Sequence, residues 1–201
     1  MTTFEHAMLA GNLAAAAGLH RRHGHGVLAI AAVAGASPDR DGVTFLWSVE
    51  AFDRGHRVWG HGLPVAVPVG AAVGAAAACA GLGRRAVAAV GKLEGVPALD
   101  GRGCGVGVAA GIGAAAAASH IPADVVVSGT DTLADWPVPV LWPFGGPEVV
   151  YPMLHWGDPG PTLIFAAGSL IGVWRKLSAS RTAAFTLGVL AGYLILGRLS
   201  L

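Results

Sequence analysis

Charged side chains are what this chain has least of. Only 12% of its 201 residues are Asp, Glu, Lys or Arg, while 54% are hydrophobic; an average soluble domain carries about 25% charge and a somewhat smaller apolar share. So little charge cannot clothe a water-facing surface, and the composition suits a lipid solvent. The formal net charge is +1, which leaves no field to hold a polyanion, and no basic patch is interleaved with aromatics. Nucleic-acid binding is excluded on those grounds. Cysteine is nearly absent: Cys79 and Cys104 stand alone in Ala/Gly-rich stretches, too few for a disulfide framework or a thiolate metal site, and are expected to pack. The opening MTTFEHAM has no basic n-region before its apolar run, which argues against a cleaved secretory signal. Period-two alternation is almost missing, so strands are not expected.

What the chain does have is six uncharged runs, at roughly 7–19, 26–38, 62–83, 103–119, 159–174 and 182–197. A helix that crosses the hydrocarbon core needs about 20 residues. Only the third run is comfortably long, and the first two, at 13 residues each, must borrow polar flanks, tilt, or form a re-entrant hairpin. The expected architecture is an all-α, polytopic membrane protein with about six helices, or four spans plus a hairpin, in a single domain over residues 1–201. A soluble Ala-rich bundle would carry a charged outer stripe on its helices, and these runs have none. Gly107 and Gly111 form a small-xxx-small pair, for which a tight helix contact is expected within the monomer or between two copies. Nothing in the sequence specifies the oligomeric state.

Orientation follows from the basic residues between the runs. In a six-span arrangement Arg21, Arg22, Arg84, Arg85, Lys92, Arg102, Arg175, Lys176 and Arg181 share one side, leaving Arg40, Arg54, Arg57 and Arg198 on the other. The positive-inside rule makes the first side cytoplasmic. The loops at 39–61 and 120–158 then face outward.

Residues able to bind a metal gather on that outward side. His6 precedes the first run, Asp39 and Asp41 follow the second, His56 and His61 precede the third, and His120 and Asp124 follow the fourth. Asp39 and Asp41, two positions apart, point the same way if the segment is extended, although PDRDG also reads as a plain turn. Two imidazoles at the mouth of an apolar helix suit zinc and its neighbours. Arg57 between them has the planar fork that grips an anion. His120 and Asp124 lie one helical turn apart, with Pro122 between them as a weakening element. Downstream, Ser128 to Thr132 and the tryptophan-rich 136–144 read as a platform or an aromatic belt at the headgroup level. His20, His23 and His25 with Arg21 and Arg22 fall on the opposite, cytoplasmic side and read as a basic juxtamembrane loop.

In order along the chain, an early His, then PDRD, HRVWGHGL, SHIPADVV and VPVLWPF resemble the motif series of the YdjM-like family of membrane-bound metal-dependent hydrolases. The resemblance spans about 6–144, while the two helices expected at 159–197 carry no matching motif. Gly42, Gly60 and Gly62 stand where that series often has His, Thr and Ser. The resemblance implies a polytopic protein of the bacterial inner membrane and a divalent metal, zinc first among candidates, as one or two ions. Its ligands are expected to be His6, Asp41, His56, His61, His120 and Asp124, with Asp39 and Arg57 in catalytic roles. The expected substrate is a membrane lipid or lipid-like ester or phosphodiester. A transporter using the same residues would spread polar groups through the bilayer depth, and a purely structural protein would tolerate their loss.

Overall fold

The computed structural model describes residues 1–93, 96, 98–129 and 136–200. In chain order its helices are α1 (Thr3–Ala16), α2 (Leu19–His23), α3 (Gly26–Gly35), a 3-10 helix (Ser37–Leu46), α4 (Val49–Gly55), α5 (Leu63–Cys79), α6 (Leu82–Val90), α7 (Val106–Val126), α8 (Gly160–Trp174) and α9 (Ala179–Ser200). Each apolar run yields one principal helix, while α2, α4, the 3-10 helix and most of α6 occupy stretches expected to be loops. The third run breaks after Cys79, where Gly81 takes a positive φ of 66°, and α5 and α6 meet at a 65° bend.

Among the described residues, α7 and α9 are each long and apolar enough to cross a bilayer, and the bent α5–α6 pair adds a third candidate. That is fewer than six. At 14 and 10 residues, α1 and α3 reach only about 21 and 15 Å at 1.5 Å per residue, short of the roughly 30 Å hydrocarbon core. They form a hairpin, with Gly35 against Ala10 and the His6 carbonyl and Gly11 against Leu28. The hairpin starts from a capping box in which Thr2 Oγ1 accepts from the Glu5 amide and the Glu5 carboxylate accepts from the Thr2 amide, satisfying two donors that the first turn leaves free.

The packing is inverted relative to a water-soluble protein. Alanines fill the interior, among them Ala34, Ala66, Ala109 and Ala117, while Leu163, Leu170, Trp174 and Leu196 on α8 and α9 are at least 63% exposed. Lipid gives helices no hydrophobic reason to associate, so close backbone approach by small residues has to do it. Gly70, Gly74 and Gly113 provide that approach between α5 and α7: a Cβ on Gly113 would overlap the Gly70 carbonyl. The expected monomer contact at Gly107 and Gly111 is not made, because both face open space among the described residues. The periodic pair is real, but it lies on the outer side of α7. Accordingly, Gly113→Leu should lower the melting temperature in detergent by the equivalent of about 1–3 kcal/mol of overpacking. Gly111→Leu should change it by no more than about 0.5 kcal/mol.

The chain after α7 wraps around that helix's C-terminal end. Val138–Pro139 pairs antiparallel with Glu148–Val149, and the amides of Tyr151 and Met153 donate to the carbonyls of Val125 and Val126, which the helix itself leaves unsatisfied. Residues 130–132 of the expected platform lie outside the described residues. The α8–α9 hairpin is tied back to α1 by Thr162 Oγ1 donating to Glu5 Oε1 and by Ser180 Oγ donating to the Ala15 carbonyl. Of the two free cysteines, Cys79 is exposed rather than packed, and Cys104 is half-buried against the core.

Candidate metal centre

Three helices and one connecting segment meet at a single buried point. α1 contributes His6 from its first turns, the 3-10 helix Asp39 and Asp41, the segment between α4 and α5 His56, Arg57 and His61, and α7 His120 and Asp124. Asp39 and Asp41 do not point the same way, as an extended segment would have them. A 3-10 turn has three residues, so positions two apart diverge, and the two carboxylates meet opposite nitrogens of His61. Pro122 is accommodated inside α7, and His120 Nε2 lies 3.2 Å from Asp124 Oδ2, one turn on.

At the centre stand His61 Nε2, His120 Nε2, Asp39 Oδ1 and Asp124 Oδ2. The two imidazole nitrogens are 3.0 Å apart. Asp124 Oδ2 lies 3.1 Å from His61 and 3.2 Å from His120, and Asp39 Oδ1 lies 3.5 and 3.4 Å from the same two atoms. Tetrahedral zinc with bonds of about 2.0–2.1 Å to nitrogen and oxygen separates its ligands by about 3.3 Å, so these spacings could accommodate one ion. Two neighbouring acid–imidazole groups satisfy the general spacing for metal binding: His6, Asp39, His120 and Asp124, and Asp39, His56 and His61. Asp39 belongs to both.

The imidazoles are oriented from behind. His120 Nδ1 is 2.8 Å from the Gly35 carbonyl, an acceptor that keeps a proton on Nδ1 and turns Nε2 toward the cluster. His61 Nδ1 is held 3.0 Å from Asp41 Oδ2, and Asp41 Oδ1 is 2.8 Å from His56 Nδ1. Asp41 thus faces the outer nitrogens of two histidines, the arrangement by which carboxylates fix the tautomer of metal-binding imidazoles. His6 stacks on His120 with ring centroids 3.4 Å apart and places Nε2 3.0 Å from Asp124 Oδ1. Among the described residues, His6 Nδ1, Asp39 Oδ2 and Arg57 Nε are buried without a hydrogen-bond partner.

Arg57 is the largest fully buried side chain. Nη1 donates to the carbonyls of Asp124 and Trp136 and to Ser128 Oγ, and Nη2 donates to the Val127 carbonyl and Asp124 Oδ1. Its ring neighbour is Trp136, 4.7 Å from the guanidinium carbon. These contacts hold Arg57 at a φ of 63°, a left-handed conformation a non-glycine residue rarely adopts. The guanidinium caps the end of α7 and grips its aspartate.

Burial would raise the Asp39 carboxyl, but hydrogen bonds from His120 and His61 hold it well below the usual carboxylate range. Burial acts the same way on Asp41, and hydrogen bonds from His56 and His61 again overcome it. For His61 burial would lower the pKa, but hydrogen bonds to Asp124, Asp39 and Asp41 push it up to about 10.

The family model of the YdjM inner membrane protein matches residues 1–200. The chain belongs to that family. Comparisons with curated proteins and with solved structures each return no match. YdjM membership covers α8 and α9, which carry none of the motifs, and sets the chain in an inner membrane. The eight residues singled out from the YdjM-like motifs all lie in or directly beside the buried cluster. Other contributors carried little signal. Glu5 was legible as the far end of a T-x-x-E capping box. Ser128, the Gly35 carbonyl and the Met1 amine, 2.6 Å from Asp124 Oδ1, have no motif of their own.

Proposed function

We propose that this YdjM protein is a membrane-bound, metal-dependent hydrolase with one principal ion site, and that its substrate is a lipid or lipid-like ester or phosphodiester. The observation that carries the reading is the convergence of two imidazole nitrogens 3.0 Å apart with two carboxylate oxygens, each 3.1–3.5 Å from both nitrogens, in a site with an unpartnered carboxylate oxygen. Two nitrogens and hard oxygens match zinc chemistry. His61, His120 and Asp124 would hold the ion, which would supply a nucleophilic water near neutral pH and a Lewis acid for the scissile oxygen.

His61, His120 and Asp124 are the tighter set, at 3.0–3.2 Å from one another, and three protein ligands leave a catalytic zinc its open position. Asp39 stands slightly farther off with Oδ2 free. In this reading Asp39 takes the proton of the attacking water once the imidazole protons that hold it ionised are displaced. His56 is the least buried of the four site histidines, with its side chain 10% exposed. Oriented by Asp41, it protonates the leaving oxygen. Asp41 and Arg57 act as positioning residues, Arg57 because its guanidinium is already committed to protein acceptors. The outward orientation rests on the basic residues collecting at the opposite face.

Metal analysis of protein purified in detergent without chelators tests the reading. Wild type should carry stoichiometric metal, and His61→Ala should carry almost none. Asp39→Asn should keep the metal yet hydrolyse fluorogenic lipid ester or phosphodiester probes about 10²–10⁴-fold more slowly, the usual contribution of a proton-transfer residue. Metal-free wild type, or full turnover in Asp39→Asn, would reject it.

A pH dependence follows from His61. In the ion-free protein its raised pKa gives stability that is fully present below about 6.5 and is lost as pH rises through about 10. At neutral pH an incoming ion must therefore displace its proton. Zinc titrations by calorimetry in buffers of different ionisation enthalpy should show proton release at pH 7.5, with affinity weakening toward pH 6.

A further inference from the structure

A groove of about 690 Å³ that includes none of the cluster residues is lined by α1, α3, the α8–α9 pair and residues between Val90 and Asp100. Its lining includes small residues, Gly11, Ala15 and Ala32, and the larger apolar Leu28, Val173 and Leu177. From Ala7 to Ala15 the groove follows α1 for about 12 Å, close to the ~15 Å of hydrocarbon in one leaflet, half of the ~30 Å core. The mouth is polar and is formed by His20, Arg21, His25 and Asp100.

The mouth is built, and its charges are not balanced. The Asp100 amide donates to His25 Nδ1, and the His25 amide donates to the Asp100 carbonyl. The Asp100 carboxylate is taken up by Arg102, at 2.7 Å. Arg21 makes no ion pair among the described residues. His20, only 5% exposed, keeps Nδ1 buried without a hydrogen-bond partner among them. Among the described residues, then, a guanidinium without an ion pair and an imidazole with an unpartnered nitrogen lie just past the C-terminal end of α1, on a mostly apolar groove whose length is close to that of a leaflet.

We propose that this groove binds one anionic phospholipid of the leaflet on the basic face of the protein, its acyl chain lying along α1 and its phosphate held at Arg21 and His20. Arginine forks suit phosphate oxygens, and the apolar wall distinguishes a lipid from free phosphate. The site is separate from the metal centre and does not depend on hydrolase activity.

Native mass spectrometry of the full-length protein tests it, after delipidation and exposure to equal amounts of phosphatidylglycerol and phosphatidylcholine. Wild type should retain phosphatidylglycerol about five-fold over phosphatidylcholine, the advantage typical of one basic residue at an anionic membrane. His20→Ala with Arg21→Ala should bring the ratio close to one. Arg21→Gln, which keeps side-chain bulk, should reduce it if the double variant aggregates on size exclusion. Ala32→Trp should lower retention of both lipids, and Arg85→Ala should match wild type. Equal retention by wild type, a preference that survives loss of both side chains, or displacement of the lipid by inorganic phosphate would overturn the proposal.

Discussion

Asp124→Ala should remove the metal and destabilise the fold together. The carboxylate accepts from the Met1 amine, His6 and Arg57 through Oδ1 and lies within 3.2 Å of His61 and His120 through Oδ2. Its loss leaves a buried guanidinium and several imidazoles facing one another in a site where Asp124 itself is 1% exposed. Breaking a buried ion pair from one side costs about 3–5 kcal/mol because the remaining charge is uncompensated. Thermal denaturation in detergent should therefore show a large loss, and metal analysis should show an empty protein. Asp124→Asn is the informative companion. It preserves volume and part of the hydrogen bonding, so it should recover some stability while remaining metal-depleted. A variant that lost stability but kept stoichiometric metal would remove Asp124 from the ligand set.

Arg57→Ala should be almost as damaging, for a different reason. The guanidinium satisfies carbonyls of Asp124, Val127 and Trp136 together with Ser128 Oγ, so its removal uncaps α7 and releases Trp136, whose ring lies 5.1 Å from that of His56. The expected cost is again about 3–5 kcal/mol, with metal affinity about 10–100-fold weaker, as when other supports of metal ligands are lost. Arg57→Lys should rescue little, because one ammonium cannot reproduce a two-armed fork. A residue whose task was to hold substrate would behave otherwise: its alanine variant would fold and bind metal normally and raise KM alone.

Much of the helix inventory was legible. Runs without charge become helices in lipid because no other structure satisfies their backbone groups there, and α1, α3, α5, α7, α8 and α9 follow from that rule. Span length was less so. The run at 62–83 hides the break at Gly81, and the two 13-residue runs give a hairpin whose helices are too short to cross. Packing faces were also hard to read: Gly107 and Gly111 on α7 have the spacing of a contact, but so do Gly70 and Gly74 on α5, and of the two pairs it is the second that packs against another described helix.

At the site, the chemistry of the side chains could be read from residue type and motif order, and charge placement brought His6, Asp41, His61 and Asp124 to one face. Their division of labour could not. Which oxygen of Asp41 orients which imidazole, that Arg57 is occupied by helix-end carbonyls, and that Asp39 retains a free oxygen depend on angstrom-scale distances set by the α1–α3 hairpin, the 3-10 turn and the α5–α7 contact. Composition and periodicity determine which solvent a segment prefers, since burial free energy sums over residues. The pairing of buried polar groups depends on relative positions between distant segments, and tertiary packing alone decides those.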